Sequence, residues 1–104
     1  MVTVDDLAVE LTENEELVLI DVRRPEEREE KGVIEYENQV AVPLEEFIAN
    51  KGEWPAEDAT IVAYCGSGHR STMAMTMLWS YGYSNVRSMK GGFAAWVEAG
   101  YPVV

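Results

Sequence analysis

Two stretches of this chain are apolar almost throughout rather than on alternate residues: Leu17-Val18-Leu19-Ile20-Asp21-Val22 and Thr60-Ile61-Val62-Ala63-Tyr64. A strand with one wet face alternates apolar and polar side chains, whereas a strand covered on both faces has no polar side to show. Both runs are therefore predicted to be buried strands, and Val40-Ala41-Val42 is a third, shorter one. Val86 to Met89 is a final strand candidate.

Helical signals fall between these runs. Thr3 is placed to cap a helix over Val4 to Thr12, with Leu7, Ala8 and Leu11 at helical spacing. Pro25 opens a short acidic helix, where its missing N–H costs nothing, and Pro43 stands at another helix start. The stretch from Gly52 to Asp58 is expected to be a loop. A helix from Ser71 to about Tyr81 stops at Gly82, and Gly91-Gly92 introduces a last one through Trp96 and Val97. Strands alternating with helices favour an α/β domain with a largely parallel sheet. At 104 residues, a single domain spanning 1–104 is expected.

In such sheets, ligands bind at the carboxyl ends of strands. The run ending at Tyr64 passes directly into Cys65-Gly66-Ser67-Gly68-His69-Arg70, followed by Ser71. Two glycines in this stretch let the backbone turn successive N–H groups inward as an anion-binding nest. The helix that follows adds its unpaired N–H groups and the positive end of its dipole. A thiol seated there has its thiolate stabilised, so its pKa should fall. Ser67 and Ser71 supply hydroxyls, and Arg70 a permanent forked cation. The competing reading is a buried, inert thiol beside a tight turn. So many anion-favouring groups in one short loop argue against it.

Composition removes several function classes. One cysteine and one histidine form neither an internal disulfide nor a His/Cys metal cluster, so no metal site is expected. A net charge of −11, from 19 acids and 8 bases, lacks the basic stripe that nucleic acid requires. The acidity reads as a solvated surface or as a docking face for a basic protein. No apolar run is long enough to cross a bilayer, and the first residues show no signal-peptide pattern. A cytoplasmic protein without membrane attachment is expected.

Cysteine phosphatases use a related loop with one more residue between cysteine and arginine; here Gly66, Ser67, Gly68 and His69 intervene. The tighter ring disfavours in-line phosphoryl transfer but suits the terminal sulfur of a persulfide.

These pieces, in this order, resemble the rhodanese (thiosulfate sulfurtransferase) family over essentially the whole chain. They are Leu19-Ile20-Asp21-Val22-Arg23 with Pro25-Glu26-Glu27, Val42-Pro43-Leu44, Ile61 to Cys65, the Gly-Ser-Gly-His-Arg-Ser loop, Gly82-Tyr83 with Val86, and Gly91-Gly92-Phe93 with Trp96. The resemblance implies a rhodanese-like α/β fold, with a central parallel sheet of about five strands flanked by helices on both faces. It implies that Cys65 is the nucleophile that carries a persulfide, and that Gly66, Ser67, Gly68, His69, Arg70 and Ser71 form the substrate-binding loop. The implied reaction is a ping-pong sulfurtransferase that needs no cofactor and no metal. It moves sulfane sulfur from thiosulfate, a polysulfide or glutathione persulfide to cyanide or a thiol. Its partners would be small sulfur donors and acceptors, and a thiol on an acceptor protein.

Two features depart from the family pattern. The segment Gly32-Val33-Ile34-Glu35-Tyr36-Glu37-Asn38 lacks the histidine common at this point, and Gly66 stands where members that favour thiosulfate carry a base. Two other classes compete with the enzyme reading: a persulfide carrier that delivers sulfur to a partner protein without turnover, and a rhodanese-like phosphatase or arsenate reductase. Asp21 is expected to bond the loop or an arginine, Arg23 to form a buried ion pair, and His69 to tune the thiolate or face solvent. Met73, Ala74, Met77, Leu78 and Tyr81 are expected to form the buried stripe of their helix, with Met75 and Trp79 partly off it. Trp54 and Trp96 are expected to be packing anchors.

Overall fold

The computed structural model describes residues 1–104. Helix α1 (Val4–Glu13) begins as its sequence dictates, with Thr3 Oγ1 accepting from the Asp6 N–H at 3.1 Å. Strand β1 (Val18–Asp21) leads into α2 (Pro25–Lys31), with Pro25 at its first turn. Strand β2 (Gln39–Ala41) is followed by 3-10 turns at Leu44–Glu46 and Lys51–Glu53. Then come β3 (Ile61–Tyr64), α3 (His69–Ser80), β4 (Val86–Ser88) and α4 (Gly92–Glu98).

All pairings within the sheet are parallel, in the order β2-β1-β3-β4. Four strands stand where about five were expected. The outer edge of β4 is met only by a single-residue parallel bridge between Val2 and Met89.

The sheet is covered on both sides because its central strands are apolar on both faces. Ile20, Val22, Ile61 and Ala63 pack under α3 with Ala74, Met75 and Leu78. Leu19, Val62 and Tyr64 point the other way, to Leu7 of α1 and Phe93 and Trp96 of α4. Val18 pairs with Ile61 and Asp21 with Tyr64, so β1 and β3 end together. That register brings the start of α2, the loop after Cys65 and the start of α3 to one edge of the sheet.

The face of α3 differs from the expected stripe. Ser71, Ala74, Met75 and Leu78 are buried, while Met73 and Tyr81 are 53% and 45% exposed. The helix phase follows from its first turn. Ser71 faces the Cys65 sulfur and Ser88, and residues three, four and seven positions later share its face. Trp54 packs against Phe47 at 4.8 Å between ring centroids, and Trp96 is 2% exposed, so both anchor packing.

The 32–39 segment is tied down by polar contacts. Val33 exchanges backbone hydrogen bonds with Val104, each at 2.9 Å. The Tyr36 hydroxyl donates to the Leu17 carbonyl at 2.6 Å. The Gln39 amide donates to the carbonyls of Ile34 and Tyr36 at 2.8 and 2.6 Å.

Candidate active site

Gly68 makes the turn out of β3 possible. It is the N-cap of α3 with φ +108°, a region that side chains rarely occupy. This turn swings the first N–H groups of α3 back toward the end of β3. The Gly68 and Ser71 N–H groups donate to Cys65 Sγ at 3.1 and 3.4 Å. Ser71 Oγ lies 3.6 Å from the sulfur. It also contacts the Gly68 carbonyl at 3.1 Å and Ser88 Oγ at 2.7 Å. In the thiol form Sγ–H donates to Ser71; in the thiolate form the serine proton can turn to the sulfur.

Burial pushes the Cys65 thiol up, since a charge is costly away from water. The Ser71 hydroxyl and the N–H groups of Ser71, Gly68 and Ser67 outweigh it, and the net shift is downward. Cys65 is 1% exposed and lies in the layer under α3. The sulfur thus sits beneath the loop. The surface cleft alongside, of about 500 Å³, reaches Gly66, one residue away.

Of the residues singled out in the sequence, Gly68 and Ser71 hold the sulfur directly. Gly66 lines the cleft. Ser67 and His69 are exposed, with Ser67 Oγ 3.3 Å from His69 Nδ1. Arg70 makes no hydrogen bond to the sulfur. Its Nη1 and Nη2 donate to Glu27 Oε1 and Oε2 at 2.6 and 2.9 Å, a bidentate pair between the first turns of α3 and α2.

Asp21 and Arg23 form the expected buried pair. Asp21 accepts from Arg23 Nε at 3.0 Å, Arg23 Nη2 at 2.9 Å and Arg28 Nε at 3.0 Å. It bonds arginines and not the loop. The Arg23 guanidinium also lies 4.2 Å from the centroid of the Phe93 ring.

Three contributors were not singled out. Glu27 binds Arg70, and Ser88 orients Ser71. The start of α4 clamps the loop from behind. Phe93 N–H donates to the Cys65 carbonyl at 2.7 Å, and Ala94 N–H to the Gly66 carbonyl at 3.1 Å. The glycine pair at 91 and 92 was a usable signal for this. A Cβ on Gly92 would lie 2.6 Å from the Cys65 oxygen, so only glycine permits the approach. Chemically, the arrangement can stabilise a sulfur anion in a ring of donors closed off from bulk water.

A family model described as "Rhodanese-like domain" matches residues 3–99. Over 96% of its length the chain is 33% identical to a sulfurtransferase of Allochromatium vinosum, covering 90% of that protein. Its fold is similar to the crystal structure of a rhodanese-related protein from Thermoplasma volcanium. That match has a TM-score of 0.83 and 30% identity, over 99% of this chain and 95% of the other. It is also similar to a Rhodopseudomonas palustris protein described as a possible tyrosine phosphatase. Here the TM-score is 0.82 and the identity 28%, covering 100% of this chain and 83% of that one.

Proposed function

Because this chain belongs to the rhodanese-like domain family, we propose that it is a sulfurtransferase in which Cys65 carries a sulfane sulfur as a persulfide. The observation that carries this reading is local. The one thiol of the chain accepts N–H bonds from Gly68 and Ser71 where β3 gives way to α3.

The first step joins the Cys65 thiolate to the outer sulfur of a donor, as the bond between that sulfur and the rest of the donor breaks. With thiosulfate, the electron pair leaves on sulfite and the enzyme keeps a persulfide anion. The inward N–H groups stabilise the charge on sulfur. In the second step cyanide or a thiolate attacks the outer sulfur. Thiocyanate or a small persulfide leaves, and the Cys65 thiolate returns. Both half-reactions balance without metal or redox cofactor.

Gly68 and Ser71 hold the sulfur in this reading. Gly66, Ser67 and His69 form the rim over which donor and acceptor arrive, and Arg70 acts at a distance. The short spacing from Cys65 to Arg70 and the sulfurtransferase relative favour sulfur over phosphate.

Treating the protein with thiosulfate or polysulfide and weighing it intact should show a gain of one sulfur atom, reversed by cyanide with release of thiocyanate. The Cys65→Ser variant should keep the fold and gain nothing. Sulfur uptake by that variant would misplace the nucleophile. Turnover of aryl phosphates with no sulfur uptake would overturn the reading. Loading on Cys65 without steady-state thiocyanate production would instead identify a carrier that passes sulfur to a partner protein.

A further inference from the structure

The loop's only guanidinium is cancelled where it stands. Arg70 meets Glu27 through two parallel hydrogen bonds of 2.6 and 2.9 Å, and the pair lies beside Gly66 of the loop. A Cβ on Gly66 would sit 3.3 Å from Arg70 Nη2 and 3.6 Å from Glu27 Oε2. Glu27 is further fixed by its own helix, since the Arg24 N–H donates to its Oε1 at 3.3 Å. Elsewhere along the adjacent cleft, exposed Lys31 and exposed Glu98 bring one charge of each sign, and Arg23, itself 1% exposed, shares the Asp21 carboxylate with Arg28. The cleft wall is otherwise apolar, with Phe93 in it.

We propose that Glu27 is a specificity-determining residue of this site. By holding Arg70 it removes the positive charge a doubly charged donor would need, and it sets the site for sulfur donors carrying one negative charge or none. The inference rests on Cys65 being the sulfur-bearing nucleophile, and it adds the charge class of the donor.

The physical reason is the distance dependence of Coulomb's law in a partly shielded site. A carboxylate beside the loop opposes each negative charge on an approaching molecule, so a dianion is penalised more than a monoanion and a neutral molecule not at all. Arg70 alone would reverse the sign. With Glu27 in place the two nearly cancel, so Arg70 no longer gives a dianion its extra attraction over a monoanion or a neutral molecule. The pair is about a quarter exposed, so salt weakens this effect without abolishing it. Glu27 remains ionised in any near-neutral buffer, because the Arg70 guanidinium holds its pKa down to about 2.

The test uses the Glu27→Gln variant, which keeps the shape and removes the charge. Cys65 is the only thiol, so its alkylation can be followed by intact mass. Iodoacetate is a monoanion and iodoacetamide is neutral, and both displace iodide at the same sulfur. In Glu27→Gln the ratio of iodoacetate to iodoacetamide rates should rise about five-fold. The gain should shrink in about 1 M salt. For sulfur donors, kcat/KM for thiosulfate, a dianion, should rise about five-fold relative to benzenethiosulfonate, a monoanion. Glu27→Ala should move both ratios the same way, with thermal unfolding confirming that each variant is folded.

An unchanged alkylation ratio in folded variants would overturn the inference, because a purely structural role for Glu27 alters both reagents together. A thiol that neither reagent reaches would overturn it too. Wild-type protein that never gains sulfur, with the alkylation ratio still shifting, would sink the sulfurtransferase reading while upholding the charge selection.

Discussion

The backbone N–H of Phe93 donates to the carbonyl of Cys65 at 2.7 Å, which fixes the Cys65 peptide unit to the first turn of α4. The approach depends on Gly92, whose φ is +66° and whose missing Cβ would lie 2.6 Å from the Cys65 oxygen and from Gly66. Gly92→Ala should therefore strain α4 and displace the loop together. The expected loss is about 3 kcal/mol or more, from the left-handed backbone and the overlap combined. Urea unfolding would measure it, and sulfur loading of Cys65 should slow in parallel. A variant as stable and as active as wild type would show that α4 does not support the loop.

Ser71→Ala should raise the pH at which Cys65 becomes reactive. The hydroxyl is the largest single influence opposing burial, so its removal lowers the thiolate fraction at any given pH. The pH profile of iodoacetamide alkylation should move to higher pH. Ser88→Ala should shift it less, since Ser88 acts only by orienting Ser71 at 2.7 Å. A profile unmoved by Ser71→Ala would assign the stabilisation to the backbone amides alone.

Stability should fall in acid partly through Glu27. Its folded pKa of about 2 lies below its ordinary value of 4.5, so folding is favoured by the ionised form. That contribution is complete above about 4.5 and disappears as the pH drops toward about 2. The stability difference between wild type and Glu27→Gln should be constant near neutrality and shrink over that acid window. A difference that stays constant down to the lowest pH would mean that the Arg70 pair does not contribute.

Asp21→Ala should be among the most damaging single changes. Asp21 is fully buried and meets the charge of Arg23, itself 1% exposed, whose Nη1 already has no hydrogen-bond partner. Removing the carboxylate leaves a buried guanidinium uncompensated, a loss of about 3–5 kcal/mol. Denaturant unfolding measures this directly, and a loss under about 1 kcal/mol, of the size expected at an exposed pair, would refute it.

Much of this molecule was readable along the chain because the signals are short-range. Unbroken apolar runs demanded strands covered on both faces. Thr3, Pro25 and Gly82 marked helix ends through local backbone chemistry. A thiol placed between a strand end and a glycine-containing turn predicted donors converging on sulfur, and Gly68 and Ser71 supply them.

Folding in three dimensions decided the rest. Arg70 is 43 residues from Glu27, and only the register of β1 against β3 brings their helices to one edge. Nothing adjacent to Arg70 in the chain says that its charge is already matched. The face that α3 turns inward was likewise settled at one contact, Ser71 against the Cys65 sulfur, because a helix rotates as a rigid unit once its first turn is held. Local sterics and polarity act over a few residues and can be read in order. Charge pairing and helix phase depend on which distant segments share an edge, and that is a property of the folded sheet.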